Sequence, residues 1–201
     1  IATVVTTGFT GIETLTGSAT DSLTAPAGVA IGVSAPNAGT VVGGLGFTGI
    51  NTVVADVGGT AFNFTGTGSV ATVTGAAGAD TLDISGRGGA KSVVLSGTNA
   101  GSIATVVTTG FTGIETLTGS GTDSLKLVAG TANTISISAA NAGTVTGSSS
   151  FSGINTLLAG GQGDTFNITT GTGSMTTITG GAGTDVLSTA GAGGTKTVTL
   201  T

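Results

Sequence analysis

The sequence predicts an all-β fold, a parallel β-helix (β-solenoid) of roughly 20 residues per coil and about ten coils. Three observations lead there. The chain repeats itself: residues 1–23, IATVVTTGFTGIETLTGSATDSL, recur at 103–125 with one change, Ala19 to Gly121. Short clusters of Val, Ile, Leu and Thr return about every ten residues, each bounded by Gly, Ser, Asn or Asp, which is the pattern of strands joined by tight turns. No stretch spaces its apolar residues as a helix would.

The clusters run at residues 12–15, 29–33, 50–54, 61–64, 70–73, 81–84, 92–95 and 103–107. β-Branched residues suit a pleated, half-buried surface, and glycine turns corners that other residues resist. Segments of the form F-[TS]-G-I-[EN]-T begin at Phe9, Phe47, Phe111 and Phe151, and the last three each follow an Asn-Ala-Gly triplet, at Asn37, Asn99 and Asn141. These four phenylalanines are expected to fill the interior near one corner of the coil. The spacing of the phenylalanines, and of turn aspartates 21, 80, 123, 164 and 185, fits whole numbers of such coils. Residues 1–102 form a first long repeat and 103–201 a second, continuous with it. Length differences between the copies fall within 23–37 and 64–75, connections where insertion leaves strand register untouched. Thr201 falls short of the next IATVV motif, and no polar capping segment is visible. The expectation is an excerpt of a longer array, or a subunit that stacks end to end.

Composition excludes several classes of function. The chain has no Cys, His, Trp or Tyr, which removes imidazole and thiol chemistry, disulfides, and zinc sites built on those ligands. Four basic residues and a net charge of -5 leave no footprint for a phosphate backbone, so nucleic acid is not an expected partner. Disorder is disfavoured by a mean hydropathy of +0.51. Membrane insertion is disfavoured because no apolar run approaches the ~18 residues of a spanning helix, and Trp and Tyr girdles are lacking. No catalytic residue and no bound organic cofactor are expected. Arg87, Lys91, Lys126 and Lys196 are scattered and read as solubilising charges that blunt sheet edges. Glu13 and Glu115 stand where sister units carry Asn51 and Asn155, an exchange that suits a solvated or turn-capping role better than a catalytic carboxylate pair.

Gly-rich turns recur with an aspartate before the next apolar cluster. Residues 75–82 read GAAGADTL, and residues 180–188 read GGAGTDVLS, which fits the whole G-G-x-G-x-D-x-U-x nonapeptide. In these turns the sequence resembles the RTX-like, Gly/Thr-rich β-solenoid repeats of secreted bacterial giant adhesins and S-layer-type surface proteins. The F-x-G-I-E-T-L phrasing at Phe9 and Phe111 is similar to adhesin repeats. The resemblance implies calcium held between turns by aspartate carboxylates and backbone carbonyls. Only Asp164 and Asp185 sit one coil apart, so they are the candidate calcium pair, with carbonyls and water completing the 6–8 oxygens that calcium takes. The alternative is that each aspartate bonds turn backbone, as in an Asx-turn.

The function expected from these features is structural: a rigid, non-catalytic segment of an extracellular bacterial fibre, adhesin shaft or surface layer, partnered by further copies of the same repeat. The alternative is a module that binds glycan, calcium or ice. Glycan binding calls for exposed aromatics, whereas the phenylalanines look internal. Ice binding calls for Thr-x-Thr in one register, whereas those at 14–16, 72–74, 116–118 and 144–146 are unevenly spaced.

Overall fold

The computed structural model describes residues 10–195, whose strands all belong to one 17-stranded sheet. In chain order the first long repeat supplies β1 (Thr14–Thr24), β2 (Ile31–Ala35), β3 (Ala38–Val41), β4 (Leu45–Val54), β5 (Ala61–Gly66), β6 (Val70–Thr74), β7 (Thr81–Arg87) and β8 (Ser92–Gly97). Then come β9 (Ala100–Ile103), β10 (Val107–Thr112), β11 (Thr116–Lys126), β12 (Thr134–Ala139), β13 (Ala142–Val145) and β14 (Ser150–Leu158). The series ends with β15 (Thr165–Ile168), β16 (Thr177–Thr179), β17 (Val186–Ser188) and a single 3-10 turn, Ala190–Ala192.

The ladder closes on itself. Starting from β4, hydrogen-bonded neighbours run β4–β3–β2–β5–β7–β11–β8–β9–β10–β6 and return to β4, a closed ten-stranded β-barrel with further strands attached. This overturns the expected parallel β-helix of uniform coils, and with it the β-solenoid description. The physical reason lies in three hairpins. β2 with β3, β8 with β9, and β12 with β13 pair antiparallel, and the second strand of each hairpin pairs antiparallel in turn with β4, β10 or β14. In the ring the β2–β3–β4 and β8–β9–β10 ladders join parallel ones such as β2–β5, β5–β7 and β7–β11 sideways, so the sheet bends round and meets itself, while β12–β13–β14 lies outside the ring.

The Asn-Ala-Gly triplets make the hairpins. Asn37, Asn99 and Asn141 have φ of 54°, 51° and 56°, the left-handed region that Asn tolerates better than most side chains. Each stands between the paired strand ends, as in Ala35 opposite Ala38 and Gly97 opposite Ala100.

Alternate residues of the strands point inward. Ile31 and Val33, Phe62 and Phe64, Leu82 and Ile84, Val93 and Leu95, and Ile135 and Ile137 are all buried, while their neighbours are half-buried or exposed. Each such side chain contributes about 1.5–3 kcal/mol when fully buried. The interior is one continuous apolar cluster from Ala25 to Phe166.

Two segments of nearly identical sequence have different surroundings. The first residues of β11 pair with β7 (Leu117 opposite Leu82) and its last with β8 (Leu125 opposite Val93), while its other edge pairs with β14. β1 pairs with β4 in the corresponding way, Leu15 opposite Phe47, and among the described residues no strand lies on its second edge. Leu117 and Leu125 are buried; Leu15 and Leu23 are only half so.

Candidate functional site

The most organised polar feature is a set of carboxylates that bind backbone N–H groups at the starts of neighbouring strands. Asp80, just before β7, is fully buried. Its Oδ2 accepts from the Ala76 N–H of its own turn at 3.0 Å, and its Oδ1 accepts from the Thr60 N–H, just before β5, at 2.7 Å. The Asp80 N–H donates in turn to Glu115 Oε2 at 2.8 Å, just before β11. One strand start is thereby tied to the next: Thr60 to Asp80 to Glu115.

The second set repeats the device. The Asn133 N–H, before β12, donates to Asp164 Oδ1 at 2.7 Å, and so does the Asn133 side-chain amide. The Asp164 N–H, before β15, donates to Asp185 Oδ1 at 2.9 Å, before β17. Asp123, inside β11, receives the Lys91 N–H on Oδ1 at 2.6 Å, and the Ser120 N–H and hydroxyl on Oδ2 at 2.6 and 3.0 Å. A buried carboxylate is tolerable only when hydrogen-bonded in this way. Glycine at particular positions lets neighbouring turns approach: a β-carbon on Gly59 would lie 2.8 Å from the Ala79 carbonyl oxygen, and one on Gly163 2.6 Å from that of Thr184, so a carboxylate in one turn reaches the backbone of the next.

The structure brings the candidate calcium pair, Asp164 and Asp185, side by side. Asp164 is fully buried, and among the described residues its Oδ2 has no hydrogen-bond partner. Asp185 is half-buried. Among the described residues no group of three or more acidic, His or Cys side chains lies together, so any ion there would draw the rest of its oxygens from backbone and water. The Asx-turn alternative is present in part, since Asp21, Asp80 and Asp123 each bind an N–H of their own turn. The inter-turn bonds, and the partners Thr60, Lys91 and Asn133, had no signal in the sequence beyond their place before an apolar cluster.

Phe47, Phe111 and Phe151 occupy equivalent buried places, each opposite the glycine of a hairpin: Gly39, Gly101 and Gly143. Phe9 lies outside the described residues, as does Lys196. Phe62, Phe64 and Phe166 are equally buried, although they fall outside the F-x-G-I motif.

Arg87 corrects the reading of scattered solubilising charges. It is 8% exposed, donating from one terminal nitrogen to the Gly66 carbonyl at 3.0 Å and from the other to the Thr105 carbonyl at 2.8 Å. Its fork clamps the end of β5 to the turn between β9 and β10. The Lys91 ammonium likewise bonds the carbonyls of Gly88 and Gly89. Glu115 caps backbone and also accepts from the Asn99 side-chain amide at 2.7 Å, whereas Glu13, its counterpart in the first repeat, is exposed.

A shallow cleft of about 220 Å3, lined among others by Thr98, Val128, Asn133 and Ser148, offers only hydroxyl, amide and apolar groups. Among the described residues no helix is long and apolar enough to cross a membrane. No family model matches this sequence, and comparison with curated proteins and with solved structures finds no match.

Proposed function

We propose that this chain is a structural, non-catalytic segment of an extracellular bacterial fibre, adhesin shaft or surface layer, with further copies of the same repeat as its partners. The observation that carries this reading is the use of acidic side chains. Asp80, Glu115, Asp123, Asp164 and Asp185 each accept a backbone N–H from a neighbouring strand start, so their charge serves cohesion between strands. A hydrogen bond to a charged group contributes about 1.5–3 kcal/mol, and several along one molecule resist the peeling of a strand from its neighbour. The RTX-like phrasing of the turns supports the surface location. Pulling single molecules from both termini tests the proposal. Cooperative unfolding at forces well above those that stretch an unstructured chain is expected; extension without a force barrier would refute it, as would absence of antibody labelling on intact source cells.

A second reading, calcium held between Asp164 and Asp185, is favoured by the unpartnered Asp164 Oδ2. Titration calorimetry with calcium chloride decides it. Heat of binding that disappears in Asp164→Asn supports the ion, and a flat titration with unchanged melting temperature removes it.

A further inference from the structure

The two long repeats meet inside the molecule along the β7–β11 ladder, where Thr81, Leu82 and Asp83 stand opposite Thr116, Leu117 and Thr118. Both halves of that joint recur elsewhere in the chain, and among the described residues neither has the corresponding partner. β17 is the second repeat's counterpart of β7: each follows a Gly-rich turn and an aspartate, Asp185 matching Asp80 and Leu187 matching Leu82. β1 is the counterpart of β11, with Leu15 matching Leu117. Among the described residues β17 pairs only with β15, through Phe166 opposite Leu187, and β1 pairs only with β4.

The unmated halves are apolar where the mated ones are buried. Leu82 is 1% exposed, whereas Leu187 is 51% and Val186 48%. Leu117 is 2% exposed, whereas Leu15 is half-buried and Ile12, beside it, is 49% exposed against 0% for its counterpart Ile114. The polar groups follow the same rule. Glu115 takes the Asp80 N–H, and the Asp80 carbonyl accepts the N–H groups of Glu115 and Thr116, while Glu13 is exposed.

We propose that β17 of one molecule is the docking edge for β1 of a second copy of this chain, in the register of the internal joint: Thr14 opposite Val186, Leu15 opposite Leu187 and Thr16 opposite Ser188. The Glu13 carboxylate then receives the Asp185 N–H, and the Asp185 carbonyl receives those of Glu13 and Thr14. The contact is head to tail, so each molecule offers one of each edge and the assembly extends without closing. Parallel strand addition supplies affinity through the backbone, and Leu15 on Leu187 sets the register. The inference rests on the reading of the chain as a self-associating structural segment, and adds to it which edges meet and how they align.

The chain contains no cysteine, which makes a register test clean. Thr16→Cys and Ser188→Cys proteins are prepared separately, mixed and oxidised, with Thr16→Cys plus Ala190→Cys as the out-of-register pair. The expected result is a disulfide-linked dimer at least about tenfold more abundant for the first pair. Sedimentation of the unmodified chain is expected to show mass rising with concentration, and Leu187→Lys is expected to abolish that rise while leaving the melting temperature of the dilute protein unchanged. Association with equal cross-linking of both pairs, or association that survives Leu187→Lys, overturns the proposed edge and leaves the self-associating reading standing. No association at any concentration overturns both.

Discussion

Phe111 stands directly opposite Gly101 across the β9–β10 ladder, and its ring fills the space that a side chain on residue 101 would need. A β-carbon built on Gly101 would lie 2.7 Å from Phe111 Cζ and would also collide with the Val94 carbonyl. Gly39 with Phe47 and Gly143 with Phe151 are built in the same way, so an aromatic covers the bare backbone of each hairpin glycine.

Gly101→Ala is accordingly expected to cost about 2 kcal/mol through overpacking, and Phe111→Ala about 3–5 kcal/mol through the cavity it leaves. The two changes share one volume, so the double variant is expected to lose less than the sum of the single losses. Urea unfolding of the four proteins measures this; strict additivity would contradict the shared packing.

Asp21 and Asp123 occupy the same place in the repeat, and each binds the serine of its own turn. Asp123 also holds the Lys91 N–H and is fully buried, whereas Asp21 is exposed. Asp123→Ala is therefore expected to destabilise by about 1–2 kcal/mol, since it leaves the half-buried Lys91 N–H unpaired. Asp21→Ala is expected to cost less than half as much. Equal shifts in the urea midpoint would show that the cap to Lys91 contributes nothing.

The one difference between residues 1–23 and 103–125 falls on a left-handed backbone position. Ala19 has φ 63° and Gly121 φ 87°, and nothing lies within 4 Å of a β-carbon at Gly121. Only backbone strain separates the two residues there. Ala19→Gly is expected to stabilise the chain by about 0.5–1 kcal/mol, and Gly121→Ala to destabilise it by a similar amount. Thermal unfolding reads both, and changes of the opposite sign would refute the strain argument.

Arg87 reaches two carbonyls with one planar fork. A lysine has a single nitrogen on a flexible stem and cannot span both. Arg87→Lys is expected to lose about 1–2 kcal/mol and to speed hydrogen exchange in the turn between β9 and β10. Unchanged exchange there would mean that the clamp is not needed to hold that turn.

Much of the secondary structure was legible from period and composition. Clusters at 50–54, 61–64, 70–73, 81–84 and 92–95 lie within β4 to β8, because alternate apolar residues need a shared face whichever strand lies alongside. The cluster at 103–107 misled: Ile103 ends β9, Val107 begins β10, and the chain turns between them, with the Val106 N–H bonded to the Ile103 carbonyl. The short strands β3, β9 and β13 have no signal of their own, because A-G-[TS]-[VI] carries too little apolar surface to form a cluster. The sequence shows the Asn-Ala-Gly triplets as repeats, while their role as hairpin turns emerges only from the strands they join. Of the candidate site, the adjacency of Asp164 and Asp185 was readable from their spacing. The bonds of Asp80 to Thr60 and of Asp123 to Lys91 were not, because they join residues far apart in the chain.

The amino-acid sequence alone determined that this protein is all-β, doubly repeated and closed to thiol and imidazole chemistry, since those properties follow from residue type and local period. Only the tertiary structure decided that the ladder closes through ten strands as a barrel, and that near-identical segments such as β1 and β11 have different burial. Strand partners are chosen by contacts between distant residues, and a local pattern that repeats along a chain is compatible with more than one way of pairing its copies.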